Sequence, residues 1–319
     1  MDRVIIDGLS FGLPLFIMAI GGIYCERSGI INLSLEGFQG FGAFIGSFVA
    51  VLIADSFVKG SQAPFYIAMV VAMIGAALFS LIYALLCIKF KANQSVSGVV
   101  VNILASSVTI FLTKLINKNI LGQSSDKFFL TASEKFTVPV LSDIPILGAV
   151  FTDVYPFNVI IVVFAFIAWY MLYKTKFGMN LRACGEMPQA VDAAGVNVTR
   201  LQLIGIMVSG ALSGLAGISF AYSISASFSN ASFMGFGFLS IAGLIFGNWK
   251  IIPTMLSCLF FGFARSGGYV LVLALELPSA YSDLVMLLPY LSTLVLLMFF
   301  SKYNRAPRAL GQVYDKGKR

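Results

Sequence analysis

Residues 65–90 read FYIAMVVAMIGAALFSLIYALLCIKF, and no charged residue appears in them before Lys89. The core of a lipid bilayer is crossed by an apolar helix of about 20 residues, because only a helix or a closed barrel satisfies its own backbone hydrogen bonds there. This stretch has the required length and polarity. It predicts a transmembrane helix.

The same pattern recurs along most of the chain. Apolar runs that predict membrane segments lie at residues 4–22, 31–54, 65–90, 97–121, 156–173, 201–222, 234–247, 251–273 and 284–300. The composition agrees, since 59% of the residues are hydrophobic and 11% are charged, against about 25% charged in a soluble domain. The runs are helix-sized, which argues against a β-barrel. We therefore predict an all-α polytopic membrane protein with about 8–10 transmembrane helices.

Two of these runs differ from ordinary lipid-facing helices. Residues 31–42 read INLSLEGFQGFG, which is polar and rich in glycine, and the stretch 232–249 is too short to cross a bilayer comfortably. Each of the two follows one long apolar run and precedes another, so they occupy corresponding positions along the chain. This predicts an internal repeat with two short broken or re-entrant helices that line a solute pathway. Alternatively, the glycines only allow neighbouring helices to pack closely.

The distribution of charge predicts an orientation. Lys and Arg outnumber Asp and Glu in 89–95, 174–200 and 302–319, whereas acidic residues outnumber basic ones in 122–155. Basic loops face the cytoplasm, so 122–155 is expected to be an external loop and the net charge of +7 is no evidence for nucleic-acid binding. We expect a transmembrane domain at 1–301 followed by a basic cytoplasmic tail. The side of the N-terminus depends on whether the second run is re-entrant.

The loop 176–198 predicts a structured cytoplasmic element. Pro188 suits the first turn of a helix, Glu186 favours the positive helix end, and Gly195 fits the residue that ends it. A stripe of small side chains is formed by Ala190, Ala193 and Ala194. A short helix with such a face is well shaped to dock into a groove on another protein.

Residues 185–198 resemble the coupling segment of ABC importer permeases of the branched-chain amino acid and simple-sugar class. Residues 26–37 (ERSGIINLSLEG) resemble the first signature of that class. The blocks 91–102, 142–148 and 309–314 are similar to its nucleoside-type branch. Because these separated blocks occur in order over nearly the whole chain, the resemblance is specific.

The resemblance implies a permease subunit in the bacterial cytoplasmic (inner) membrane. It would pair with a second permease subunit, homologous or identical, and would work with a cytoplasmic ABC ATPase and an extracytoplasmic solute-binding protein. The small-molecule solute would be a nucleoside (guanosine or another purine nucleoside), with riboflavin or a sugar as alternatives. The residues that match the ATPase-coupling segment are Gly185, Glu186, Pro188, Ala190, Asp192, Ala193, Ala194 and Gly195. No cofactor is expected on this chain, since ATP and Mg would bind the partner ATPase.

A second set of residues is predicted to line the solute pathway. Where this class commonly carries Gly-Arg-Gly-Phe, the chain has Gly235-Phe236-Gly237-Phe238, and a phenylalanine can stack on a flat ring. A carboxylate within an apolar run is costly unless it faces water or a partner. The predicted pathway residues are Asn32, Glu36, Gln39, Asn102, Phe236 and Phe238.

Other classes of function are less consistent with the sequence. The chain has no histidine and only four scattered cysteines, so we expect no metal site and no catalytic site. It also lacks the Gly-x-x-x-x-Gly-Lys-Ser/Thr phosphate loop of a nucleotide-hydrolysing protein. The main alternative is an ion-coupled secondary transporter that uses Glu36 or Asp7 as a proton or sodium site.

Overall fold

The computed structural model of the protein describes most of the chain. The described residues are 2–54, 56–58, 61–131, 133–139, 142, 147–229, 234–276 and 304–315, with the single positions 287, 290, 291, 295 and 298. Most of the last predicted run, 284–300, therefore lies outside the described residues. Ser232 and Phe233, at the start of the second short run, lie outside them as well.

The described residues form ten α-helices. They are α1 Asp2–Glu26, α2 Leu35–Ala54, α3 Ala63–Ala84, α4 Gln94–Asn119, α5 Pro156–Lys174, α6 Lys176–Glu186, α7 Pro188–Ala193, α8 Val198–Phe220, α9 Phe236–Phe246 and α10 Ile251–Ala274. A π-helical turn extends α3 over Leu85–Lys89 and another extends α8 over Ala221–Ser225, and Leu147–Val150 form a 3-10 turn. The only strands in these ranges are β1 Phe128–Phe129 and β2 Ser227–Phe228, which pair antiparallel.

Seven of the described helices are long and apolar enough to cross a membrane: α1, α2, α3, α4, α5, α8 and α10. The predicted all-α polytopic membrane fold is therefore confirmed. Burial follows from composition: residues 10–26 of α1 are all buried, as expected for a helix that is apolar on every side. By contrast, α4 exposes Val100, Ile103 and Phe111, which is typical of a helix that faces lipid.

The two short runs differ from one another in structure. α9 is short, as predicted, with 11 residues. The run 31–54 is not a short broken helix, because only its first residues are extended and α2 then continues for 20 residues. Its glycines allow close packing along one face, where a Cβ on Gly42 would lie 2.3 Å from the Cα of Gly214 in α8. These contacts offset the low helix propensity of glycine.

The two ends of the bundle carry different elements. At one end, the turn after α1 contacts residues 304–315, since the Gly311 N–H donates to the Gly29 carbonyl at 3.0 Å. At the other end, β1 of the loop 122–155 pairs with β2, and Phe128 packs near Phe44 of α2. α1 is roughly 37 Å long at 1.5 Å per residue. The start of α1 therefore lies on the opposite side of the apolar layer from the tail.

Candidate functional site

The first turns of α2 and α9 meet inside the apolar layer. The backbone N–H of Gly235 donates to the Oε2 atom of Glu36 at 2.8 Å. A Cβ on Gly237 would lie 2.5 Å from the Cβ of Glu36, so the two helices approach closely only because residue 237 is glycine. α9 is roughly 16 Å long, and the turn that follows it reaches Arg27 at the tail side of the bundle. The Glu36 contact is therefore well below that surface.

A cavity of about 210 Å³ adjoins this contact, and we call it the helix-start cavity. Its lining includes Glu36, Gly37, Asn102 and Met234. The Asn102 amide donates from Nδ2 to the Leu33 carbonyl at 2.7 Å and accepts from the Gly37 N–H at 2.8 Å. The structure thus brings the predicted residues Glu36 and Asn102 together, and Asn102 holds the start of α2 in place.

Asn32 and Gln39 lie elsewhere. The Asn32 side chain is fully buried and donates to Ser209 Oγ of α8 at 2.7 Å. Gln39 is also fully buried, and its amide has no hydrogen-bond partner among the described residues. Neither side chain lines the helix-start cavity.

Of the two predicted phenylalanines, only Phe236 faces the protein interior. Its ring centroid lies 5.0 Å from that of Phe11 in α1 and 4.9 Å from that of Phe220 in α8. Phe238, in contrast, is 49% exposed on the other face of α9. Phe236 is therefore part of an aromatic cluster that joins three helices.

Arg265 completes this cluster and was missed by sequence reasoning. Its guanidinium carbon lies 4.1 Å from the ring centroid of Phe11 and 5.6 Å from that of Phe236. Arg265 lies in the middle of α10 and borders a second cavity of about 340 Å³ that Asp7 also lines; we call it the outer cavity. A lone arginine inside an apolar run was the signal available in the sequence, since ionisable residues within a membrane mark functional sites.

The segment 176–198 folds as two helices, α6 and α7, separated by Met187. In α7, Pro188 and Val191 are buried, which fixes the helix against the bundle. Gly195 adopts a positive φ of +79° just after it, as predicted for the residue that ends the helix. The predicted small-residue stripe, Ala190, Ala193 and Ala194, is exposed.

The remaining predicted coupling residues contact the tail and the turn after α1. The Gly185 carbonyl accepts from the Ala309 N–H at 2.8 Å. The Glu186 carboxylate lies 3.6 Å from Arg27 and 4.0 Å from Arg308. Asp192 lies next to Tyr314, and burial together with the charge of this carboxylate raises the pKa of Tyr314 above its ordinary value of 10.0.

A buried cluster at the same side links these elements to the membrane helices. The Trp249 indole N–H donates to Glu26 Oε2 at 2.5 Å, and the Asn32 N–H donates to Glu26 Oε1 at 3.3 Å. The Arg27 guanidinium donates to the Trp249 carbonyl at 3.1 Å. We call Glu26, Arg27, Asn32 and Trp249 the junction cluster. It joins the end of α1, the segment before α2 and the turn between α9 and α10.

Comparison with known proteins identifies the kind of molecule. Residues 4–294 match the family described as branched-chain amino acid transport system, permease component. The chain belongs to this permease family. Within the described ranges the permease has no group of three or more His, Cys, Asp or Glu side chains that could hold a metal ion.

The permease is similar to curated proteins over its full length. It is 39% identical to the guanosine ABC transporter permease protein NupQ of Bacillus subtilis, over 98% of this chain and 96% of that protein. It is 36% identical to the nucleoside ABC transporter permease protein NupC of Lactococcus lactis, over 100% and 98%. It is 24% identical to a second guanosine ABC transporter permease protein of Bacillus subtilis, NupP, over 95% and 82%. No solved structure matches the chain.

Proposed function

We propose that this permease is the transmembrane subunit of an ABC importer for nucleosides. Its full-length similarity to NupQ and NupC supports the solute class. The observation that carries the ATP-driven mechanism is the exposed small-residue face of α7, which is fixed to the bundle on its other side by Pro188 and Val191. A rigid helix with an exposed face is suited to bind a partner protein and to transmit the partner's movement to the bundle.

The proposed assembly contains a cytoplasmic ABC ATPase, an extracytoplasmic solute-binding protein and a second permease subunit. Bacillus subtilis has both NupQ and NupP, each a guanosine ABC transporter permease by name and each similar to this chain. This supports a second subunit that is homologous but not identical. In the bacterial inner membrane, α6, α7 and the tail would face the cytoplasm. ATP and Mg would bind the ATPase, and this chain would contribute no cofactor.

The contacts around α6 and α7 indicate how movement would reach the solute pathway. Glu186, at the end of α6, pairs with Arg27, and Arg27 holds the Trp249 carbonyl just after α9. Glu26 binds Trp249 and the segment before α2. A displacement of α6 would therefore act on α9 and α2 together. Their first turns meet at the Glu36 contact, so this contact would open or close.

An ion-coupled carrier was the alternative, with Glu36 or Asp7 as the ion site. Membership of the permease family and the names of the relatives favour the ATP-driven importer. The hydrogen bond from the Gly235 N–H to the Glu36 carboxylate supports a role for Glu36 in holding the start of α9 rather than in binding an ion. We therefore propose Glu36, Asn102 and Phe236 as pathway residues, with Glu36 and Asn102 lining the helix-start cavity.

The proposal is tested by reconstituting the importer in liposomes with its ATPase and solute-binding protein. We expect guanosine uptake to require ATP and the ATPase. Ala193→Trp, which places a large ring on the exposed face of α7, is expected to lower uptake and solute-stimulated ATP hydrolysis at least tenfold, equivalent to about 1.4 kcal/mol. The permease itself should still insert and fold, because Ala193 makes no buried contact.

Asn119→Trp is the matched control. Asn119 is also exposed but ends α4 at the opposite side of the bundle, so uptake should stay at the wild-type level. Guanosine uptake that persists without the ATPase, driven by a proton or sodium gradient, would reject the ABC mechanism and support the ion-coupled carrier.

A further inference from the structure

The outer cavity lies on the side of the permease away from α6 and α7. Asp7 on its rim is 19 positions before Glu26 on α1, a separation of roughly 28 Å along the helix. With α6 and α7 in the cytoplasm, the outer cavity opens toward the external side, where a binding protein would release its solute. Its volume of about 340 Å³ is at the small end of the range for ligand pockets, roughly 300–1,000 Å³.

Arg265 supplies the positive charge of this cavity, whose lining also includes the acidic Asp7 on the rim. Its guanidinium is positioned by the rings of Phe11 and Tyr269, whose centroids lie 4.1 and 5.6 Å from the guanidinium carbon. Tyr269, Tyr290 and Asp7 are its polar neighbours. Within the described ranges no carboxylate oxygen lies within 4.0 Å of it to form an ion pair. Beyond its hydrogen bond with Tyr269, the guanidinium therefore keeps N–H donors that have no carboxylate partner among the described residues, and a solute can use them.

Two serine hydroxyls line the same cavity from different helices. Ser266 is in α10, next to Arg265, and is only 6% exposed. Ser223 is in the π-helical turn after α8. Neither Oγ atom has a hydrogen-bond partner in the part of the chain that the structure describes. A buried hydroxyl without a partner is costly, so these groups indicate a site that a polar ligand completes.

We propose that the outer cavity binds the purine nucleoside on its way through the membrane and that Arg265 determines which base it accepts. The guanidinium fork donates to the O6 and N7 acceptors of a 6-oxopurine such as guanosine. Ser223 and Ser266 face the sugar hydroxyls. This inference rests on the nucleoside import proposed above and adds the residue that selects among nucleosides.

The chemistry of the base edge supports a 6-oxopurine over adenine. Arginine pairs in a bidentate manner with the O6 and N7 acceptors of guanine, whereas adenine presents an amino donor beside N7. A glutamine has one donor and one acceptor and matches the N7 and amino group of adenine. Replacement of Arg265 by Gln should therefore shift the preference of the cavity from guanosine toward adenosine.

The test uses the complete importer in liposomes, with kcat/KM measured for guanosine and for adenosine. For Arg265→Gln the ratio of guanosine to adenosine should fall at least tenfold relative to the wild type. Arg265→Lys keeps the charge but loses the fork, so its ratio should be intermediate. Because the same solute-binding protein serves every variant, a change in the ratio reports the permease.

Further variants separate recognition from folding. Arg200→Gln alters an exposed arginine at the start of α8 and should leave the ratio unchanged. Ser266→Ala should lower kcat/KM several-fold for guanosine but not for 2′,3′-dideoxyguanosine, which lacks the sugar hydroxyls. If the Arg265→Gln variant fails to assemble, the guanosine to adenosine ratio of Arg265→Lys and the kcat/KM values of Ser266→Ala test the proposal instead.

The possible failures are distinguishable. A wild-type importer that transports guanosine, together with an assembled Arg265→Gln variant whose guanosine to adenosine ratio is unchanged, would overturn the role of Arg265 alone. Equal losses for both nucleosides would likewise overturn it and leave Arg265 as a structural residue. A wild-type importer that transports neither nucleoside would overturn the proposed function and, with it, this inference.

Discussion

Glu26 is a buried carboxyl group whose partners come from distant parts of the chain. It is 4% exposed, and both oxygens accept hydrogen bonds, one from the Trp249 indole and one from the Asn32 backbone. A buried polar group that loses its partner costs more than the net value of the hydrogen bond. The stability of the junction cluster thus depends on each of its members.

Trp249→Phe tests this dependence. The phenyl ring keeps most of the packing but removes the N–H that Glu26 accepts, so the free energy of unfolding should fall by about 1.5–3 kcal/mol. Thermal unfolding of the purified permease in detergent would show a lower Tm. Trp169→Phe in α5 is the matched control, because the ring contacts with Phe166 and Tyr173 are ones that phenylalanine can also make. Equal Tm values for the two variants would contradict the role of the Glu26 contact.

At the scale of residues, the sequence predicted only in part which polar side chains lie together. Glu36 and Asn102 were identified as polar residues in or near apolar runs, and the structure places them around one cavity. Asn32 was chosen by the same reasoning but binds Ser209 on α8. The sequence does not reveal which face of an extended segment a neighbouring helix will cover. Arg265 was detectable as a lone charge, but its partner Phe11 lies on another helix.

α9 and the start of α2 form the element that adjoins the proposed solute pathway. α9 has 11 residues, too few to cross the apolar layer alone. Its first turn rests against α2, and the Gly235 N–H donates to the carboxylate of Glu36. That carboxylate lies close to both helix N-termini, where negative charge is favourable. The start of α9 is therefore held by α2 inside the layer.

Gly237→Ala tests the contact between these two helices. The added methyl group would lie 2.5 Å from the Cβ and 2.6 Å from the backbone nitrogen of Glu36, so α9 must move away from α2. Overpacking of this kind costs about 1–3 kcal/mol, and nucleoside uptake should fall at least tenfold. Gly267→Ala in α10 meets no atom within 4 Å and should leave uptake unchanged. Wild-type uptake in Gly237→Ala would show that the contact does not gate the pathway.

At the scale of elements, the sequence predicted the type and position of the helices well but not where each helix begins and ends. Long apolar runs predicted the membrane helices because length and polarity are local properties. The glycine-rich run 31–54 was expected to break, yet α2 is continuous from Leu35 because tight contacts with α8 and other neighbours stabilise it. Similarly, 176–198 predicted a single short helix, whereas α6 and α7 are both present. Tertiary packing decided both cases.

Residues 304–315 join several of the described elements on one side of the permease. The Ala309 N–H binds the Gly185 carbonyl before α7, and the Gly311 N–H binds the Gly29 carbonyl between α1 and α2. The Arg305 N–H donates to Asn248 after α9, and Asp315 pairs with Lys91 before α4 at 3.0 Å. The sequence predicted a basic tail and a resemblance of residues 309–314 to the nucleoside-type branch. It did not predict these contacts, because backbone hydrogen bonds of this kind leave no pattern in the sequence.

Truncation before Asn304 tests the function of this segment. We expect the permease to insert normally, since the membrane helices are intact, but uptake should fall at least tenfold while ATP hydrolysis by the ATPase no longer responds to solute. Removal of residues 316–319 alone leaves each of these contacts in place and should have little effect. Full uptake after truncation before Asn304 would show that Glu186 and the junction cluster transmit the movement without the tail.

The position of residues 304–315 in the chain has a consequence for biogenesis. They leave the ribosome after every helix junction that they hold, so the surface around α7 acquires its final shape only once synthesis has passed residue 315. A nascent chain that stalls before residue 304 would thus present an unfinished surface to the ATPase. Such a chain would lack the hydrogen bonds that residues 304–315 make with Gly29, Gly185 and Asn248.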